Sequence, residues 1–176
     1  MPFRKVDERR VYDGYIHLAV ATFEAPDGSC FEREMVRHRG AVGVVALAGT
    51  RVVLVRQFRA TIEEDLLEIP AGMLDVDGES PEDAARRELE EEAGLRAMGP
   101  LELLTEYYVA AGMTDETMTI YLCRDTDPCE ARPQSAEEEL MEVVEVALDD
   151  VPAMIADGRI RDGKTIIGLL LARARV

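Results

Sequence analysis

The residues from Gly72 to Leu95, GMLDVDGESPEDAARRELEEEAGL, admit few folds, because a glycine-bearing loop runs straight into a helix whose start and stop are both written in the chain. Asp75-Val76-Asp77-Gly78-Glu79 has turn chemistry, Ser80 is an N-cap, and Pro81 suits the first helical position, where its missing N–H removes no hydrogen bond. Asp83, three residues past Ser80, stands where a capping box places its acid, and Gly94 ends the helix. Ala85, Leu89 and Ala93 recur every four residues and form a narrow apolar stripe, small enough to lie close against a sheet.

On an adjacent face Glu88, Glu91 and Glu92 stand at i, i+3 and i+4, whereas Glu90 turns away. Mg²⁺ takes oxygen ligands, commonly one or two carboxylates completed by waters and phosphate oxygens, so such a face suits a metal site that awaits a phosphorylated substrate. The same residues also suit a solvated surface, since like charges at i, i+4 cost only about 0.2–0.5 kcal/mol per pair. Charge alone leaves both readings open.

Context separates them. The acids sit in Arg87-Glu88-Leu89-Glu90-Glu91-Glu92-Ala93-Gly94-Leu95, and the stretch resembles the Nudix hydrolase box, G-x5-E-x7-R-E-U-x-E-E-x-G-U with U aliphatic. Glu79, Arg87, Glu88, Leu89, Glu91, Glu92, Gly94 and Leu95 fall on its fixed positions. One departure is an extra residue: Gly72 to Glu79 encloses six residues where the box has five. With the helix spacing intact, the insertion belongs in the Asp75 to Gly78 turn, and the geometry of Gly72 is what it calls into question.

The length of 176 residues fits one domain with a full core. A formal net charge of −16 argues against binding nucleic acid or an anionic membrane, both of which such a field repels. Cys30, Cys123 and Cys129 are too few and too scattered for a disulfide framework and fit a reducing cytoplasm, and with His17 and His38 they form no zinc-type spacing. MPFRKVDERR lacks the apolar segment of a secretory signal, and the longest apolar stretch, Ala41 to Ala48, is far short of the ~20 residues of a membrane-spanning helix.

Along the chain, Tyr15 to Phe23 and Cys30 to Val36 flank Pro26-Asp27-Gly28 and read as a hairpin. Ala41 to Ala48 and Arg51 to Phe58, apolar on both faces, read as central strands; Leu101 to Val109, Thr117 to Arg124 and Met141 to Leu148 read as further strands. Asp149-Asp150 and Asp162-Gly163 read as helix starts, and Ile166, Ile167, Leu169, Leu170 and Leu171 are expected to bury the last helix against the sheet. Arg37, Arg39, Arg56 and Arg59 bracket the central strands of an acidic chain, where each is either a phosphate-binding fork or a solvated charge.

Further motifs resemble the ADP-ribose pyrophosphatase-like subgroup of the Nudix family. Val55-Arg56-Gln57-Phe58-Arg59 resembles its VRQFR strand, Leu66-Leu67-Glu68-Ile69-Pro70-Ala71-Gly72 its LLE-x-PAG segment, and Ala110 to Glu116 its SPG-x-[ST]-DE loop, with Ala110-Ala111 in place of Ser-Pro. The resemblance implies a Nudix-type α/β/α sandwich (α+β) with a mixed sheet, the box helix on one face and the C-terminal helix on the other. It divides the chain into N-terminal strands, residues 1–36, which would pair two subunits as a homodimer, and a Nudix domain, residues 37–176, the whole forming a single compact unit. A plain edge hairpin is the alternative reading of the first segment.

The activity implied is Mg²⁺-dependent hydrolysis, with Mn²⁺ as a substitute, of a nucleoside diphosphate linked to another moiety, ADP-ribose yielding AMP and ribose 5-phosphate. Nucleotide sugars, dinucleotides and nucleoside triphosphates are alternative substrates, and a non-catalytic nucleotide sensor is the alternative class. The ions would rest on Glu88, Glu91, Glu92 and the Ala71 carbonyl, with Arg87 holding the acids by pairing with Glu91 or Glu79. Arg37, Arg39, Arg56, Arg59, Glu68, Met73 and Glu116 would face substrate, although loop packing accounts for Met73 as well; Phe58 is read as core in preference to an adenine-stacking ring. Of the loop acids Glu137, Glu138 and Glu139, the resemblance makes Glu139 the first candidate for general base and Glu138 the second.

Overall fold

The computed structural model describes residues 2–134 and 138–176. The chain divides into two units, residues 1–40 with 107–117, and residues 41–106 with 118–176. The first is therefore wider than the expected 1–36, and takes in the loop that carries Asp115 and Glu116.

The first unit holds an antiparallel sheet ordered β1 (Arg4–Asp13), β2 (His17–Glu24), β3 (Cys30–Arg37). The hairpin is present, closed by the Ala25 to Ser29 turn with Gly28 at φ 83. β1 was not foreseen: every one of its residues is exposed, so RKVDERRVYD lacks the alternation that betrays a half-buried strand.

The second unit is built on β4 (Ala41–Ala48), β5 (Arg51–Arg59), β6 (Glu64–Glu68), β7 (Ala71–Met73), α1 (Pro81–Ala93), β8 (Leu95–Ala97), β9 (Glu102–Tyr108), β10 (Thr117–Cys123), β11 (Thr126–Pro128), β12 (Glu142–Ala147), α2 (Val151–Ala156) and α3 (Gly163–Arg173). Its main sheet runs β12-β5-β4-β10-β9, with β4 and β10 parallel. β4 pairs with β5 only through Ala46–Leu47–Ala48 opposite Val53–Val52–Arg51. Beyond that the hairpin opens: Val55 to Arg59 of β5 pairs with β6, and Ala41 to Gly43 of β4 pairs with β7. The segment from Glu68 to Gly72 thus lies between two diverging central strands.

Alternation along β4 assigns the two faces. Val42, Val44 and Ala46 pack with Ala84, Ala85, Leu89 and Ala93 of α1, the apolar stripe expected from the four-residue spacing. Val45 turns the other way, toward α3, where a Cβ on Gly168 would lie 3.0 Å from Val45 Cγ2 and 3.2 Å from Ile120 Cγ2. The buried seam of α3 is Thr165, Gly168, Leu169 and Ala172, whereas Leu170 is exposed. Of the five residues expected to bury this helix, Leu169 does so fully, Ile166, Ile167 and Leu171 are half-buried, and Leu170 is corrected to exposed: the helix is apolar nearly all round, and the small residues permit the closest approach. No helix among the described residues is long and apolar enough to cross a membrane.

The start and stop of α1 match the sequence. Ser80 Oγ accepts the Asp83 N–H at 3.1 Å and donates to Asp83 Oδ2 at 2.7 Å, and Gly94 closes the helix at φ 61 in the left-handed region. Leu89 is fully buried, so Leu89→Ala is expected to cost about 2–5 kcal/mol. Ser80→Ala removes one cap and costs about 1 kcal/mol. Urea denaturation of both variants checks the ranking; comparable losses would mean that α1 is not held by its stripe.

Candidate active site

Glu88 and Glu92 emerge from α1 on the edge of its buried face, and each is only 8% exposed. The approach is close because Gly72 has no side chain: a Cβ there would fall 2.1 Å from the Glu88 carboxyl. Gly72 pairs with Val42, and the turn before the helix is closed by the Glu79 N–H donating to the Val76 carbonyl, with Gly78 at φ 84. Glu92 Oε2 accepts the Ala71 N–H at 2.9 Å, so loop and helix are joined directly.

Arg87 lies among the remaining acids. Its guanidinium donates to both Glu79 oxygens at 3.0 and 3.1 Å, to Glu88 at 2.6 Å and to Glu91 at 3.0 Å. Both expected partners are thus engaged, and Glu88 is added to them. The Glu79 bonds above all raise the Arg87 pKa further above its already high ordinary value. The carboxylates do not all converge: Glu91 is drawn onto Arg87, and among the described residues no cluster of three or more His, Cys, Asp or Glu has a metal-holding arrangement.

The electrostatics nevertheless fit a divalent cation. Burial pushes Glu92 up to about 8, with repulsion from Glu88 and Glu138 adding to it, and Glu88 up to about 7 against the opposing pull of Arg87, both from 4.5. One guanidinium serves Glu79, Glu88 and Glu91, and Glu92 has a single backbone donor. Desolvated carboxylates with so little compensation favour either protonation or a bound cation, and oxygen donors of this kind suit Mg²⁺.

Glu138, in a short turn of 3-10 helix at Glu138–Leu140, is half-buried, and its charge raises the pKa of both Glu88 and Glu92. Glu139 is exposed. Of the two candidates for general base, Glu138 is thus the less exposed and the one whose charge reaches the box acids. Glu137 lies outside the described residues.

The other expected site residues separate into groups. Arg59 donates to Glu68 through Nε at 2.7 Å and Nη2 at 2.5 Å, and its charge reaches Glu92. Glu68 is 1% exposed; burial would raise its pKa, but Arg59 and Lys164 together hold it below the usual carboxylate value. Glu68 is therefore committed to an internal ion network, a partner that sequence reasoning did not supply. Arg56 is exposed and pairs across the strands with Glu142 at 3.3 Å. Met73 is half-buried at the end of β7, opposite Ala41. Phe58 is 47% exposed, which corrects its reading as core: it sits where β5 outruns the buried part of the sheet. In the first unit, Arg37 pairs with Glu8 and Asp115, Glu116 lies 4.0 Å from His38, and Arg39 is exposed.

A pH dependence follows from Glu92. Its folded pKa lies above its unfolded one, so the stabilisation from the protonated form is complete below about 4.5 and is lost as pH rises through about 8. Metal-free wild type is expected to lose melting temperature between about pH 5 and about pH 8 more steeply than Glu92→Gln, which cannot ionise. Parallel curves would show that Glu92 is not desolvated. Millimolar Mg²⁺ is expected to raise the wild-type midpoint, and more so at the higher pH, because it binds the ionised carboxylates.

Residues 37–167 match the model of the NUDIX domain. The chain is 36% identical over 164 residues to an ADP-ribose pyrophosphatase of Bacillus subtilis (strain 168), covering 92% of this chain and 88% of that one. It is 34% identical to a methanol dehydrogenase activator of Bacillus methanolicus, over 94% of this chain and 90% of the relative. It is also 38% identical to a GDP-mannose pyrophosphatase of Yersinia enterocolitica, over 69% of this chain and 66% of the relative. A crystal structure of an ADP compounds hydrolase superimposes with a TM-score of 0.88 at 23% identity, over 99% of this chain and 94% of that one, which establishes the fold. With the box helix, its glycine loop and the desolvated acids in one unit, this chain belongs to the Nudix family.

Proposed function

We propose that the protein hydrolyses ADP-ribose to AMP and ribose 5-phosphate with Mg²⁺, Mn²⁺ serving as a substitute. The observation that carries this reading is the pair Glu88 and Glu92, buried against a backbone loop, where burial outweighs the one Arg87 contact of Glu88. The similarity to the Bacillus subtilis ADP-ribose pyrophosphatase over nearly the full length supports the substrate. The Yersinia relative, named for GDP-mannose, and the Ala110-Ala111 dipeptide favour a nucleotide sugar as the second reading.

Glu88, Glu91, Glu92 and the Ala71 carbonyl would hold the divalent ions. When bound, these neutralise the diphosphate and acidify nearby water. Water attacks one phosphorus in line, the phosphoanhydride P–O bond breaks, and the leaving phosphate carries away the electron pair. Glu138 takes the proton of the attacking water, while Glu139 stays in solvent. Arg87 keeps Glu88 and Glu91 oriented, and Arg59 faces the charge that develops on the phosphates. Among the described residues the three cysteines are free, which supports a cytoplasmic setting. The free edge of β1, with Val6, Val11 and Tyr12 exposed, supports pairing with a second copy of the chain as a homodimer.

Assaying ADP-ribose, GDP-mannose, a dinucleotide and ATP for released nucleoside monophosphate against pyrophosphate tests the substrate; a preference for GDP-mannose selects the second reading. Glu92→Gln is expected to lower kcat by orders of magnitude while retaining the fold, and unchanged turnover would end the catalytic proposal. Glu138→Gln is expected to lower kcat by about 10²–10⁴-fold, and Glu139→Gln by little. The opposite ranking would assign the base to Glu139.

A further inference from the structure

Five consecutive residues, Glu68 to Gly72, carry the loop past the acids, and only the last two touch them: Ala71 through its N–H to Glu92, Gly72 through its approach to Glu88. The preceding residues are each tied elsewhere. The Pro70 carbonyl accepts the Val44 N–H at 2.9 Å. The Ile69 N–H donates to Thr165 Oγ1 at 2.9 Å, and Glu68 is bonded by Lys164 Nζ. Two adjacent loop residues are thus gripped by two adjacent residues at the start of α3, some 96 positions away in the chain.

The grip is fully specified. Thr165 is completely buried, and its hydroxyl has no choice of orientation: the proton goes to Asp162 Oδ2 at 2.6 Å, which leaves the oxygen to accept from Ile69. Asp162 Oδ2 also caps α3 by accepting the Thr165 N–H at 2.9 Å and lies 3.2 Å from Lys164 Nζ. The Ile69 side chain fills the gap between sheet and helix, where Cβ atoms on Gly43 and Gly168 would approach its Cδ1 to 2.9 and 3.4 Å. Neither Thr165 nor Lys164 bonds an acid of the box helix; both act through the loop.

We infer that the Asp162-Lys164-Thr165 turn is a positioning element for the metal site, with Thr165 setting the distance of Ala71 and Gly72 from Glu92 and Glu88. The inference rests on the proposed use of those acids as metal ligands. Partners of this outer kind change metal affinity by about 10–100-fold when removed, and a displacement near 1 Å suffices to impair a catalytic constellation.

The test is Mn²⁺ binding, followed by the loss of the free-ion EPR signal, in wild type, Thr165→Val and Thr165→Ser, each assayed well below its melting temperature. Valine keeps the shape and drops the hydroxyl; serine keeps the hydroxyl and drops a methyl group. Thr165→Val is expected to weaken Mn²⁺ binding by about 10-fold or more and to lower kcat for ADP-ribose more than it changes KM. Thr165→Ser is expected to stay near wild type in both, although it sacrifices packing. Lys164→Met, which removes the neighbouring tether, shifts Mn²⁺ affinity in the same direction and supplies the comparison if the valine variant does not fold. Equal Mn²⁺ affinity in wild type and folded Thr165→Val, or in wild type and Lys164→Met should valine not fold, overturns the positioning role while leaving the function standing. Wild type that takes up no Mn²⁺ removes the function and this inference together.

Discussion

Placing Glu88 and Glu92 out of water beside a backbone loop, with Arg87 reaching only the first of them, is the constraint from which the rest of the second unit follows. Ionised carboxylates in such surroundings are unfavourable without a counterion. A surface cluster of the same residues would have relaxed into solvent. Here the relaxation is blocked on one side by Gly72 and the Ala71 N–H, and on the other by the Ala84, Ala85, Leu89 and Ala93 packing that seats α1 on β4. The hydrophobic contact that stabilises the helix is therefore also what keeps the acids desolvated.

Arg87 gives the cluster partial relief without neutralising it. Its contacts to Glu79, Glu88 and Glu91 orient carboxylates that would otherwise repel one another, but none of its bonds goes to Glu92. Glu68 shows the opposite design a few residues away. It is more deeply buried than either box acid, yet Arg59 and Lys164 surround it and keep it ionised. One carboxylate is saturated internally and so becomes part of the scaffold. Glu88 and Glu92, by contrast, are raised in pKa by their burial.

What could be read from the chain was what local chemistry dictates. Ser80, Pro81 and Gly94 bound α1 because capping and left-handed backbone are properties of single residues, and the Ala85-Leu89-Ala93 stripe followed from helical period alone. Two long apolar runs became β4 and β5 for the same reason. The rest depended on tertiary context. β1 has no buried side to leave a period, β6 and β7 are too short to show one, and α3 is apolar on too many sides for its seam to stand out. Among candidate site residues, the shared helix face of the box acids and Arg87 was legible from their spacing. The difference in exposure between Glu138 and Glu139 was not, because two neighbouring acids look alike until a 3-10 turn distinguishes them. Thr165 carried a visible hint in its distance from the Asp162 cap, but its second bond, to Ile69, crosses the whole domain.

The opening of the β4–β5 hairpin has a consequence for how the molecule tolerates change. Because each strand takes up a separate partner after three paired residues, the segment leading to Gly72 is laced on both flanks by main-chain ladders before the chain leaves the sheet. The exposed turn that follows hangs between two fixed posts, the end of β7 and the Ser80 cap, so its length is decoupled from the coordinates of the acids. An additional residue there alters the span of the bridge and not the position of its abutments, which leaves that turn free to drift in length and composition while the chemistry beside it stays in register.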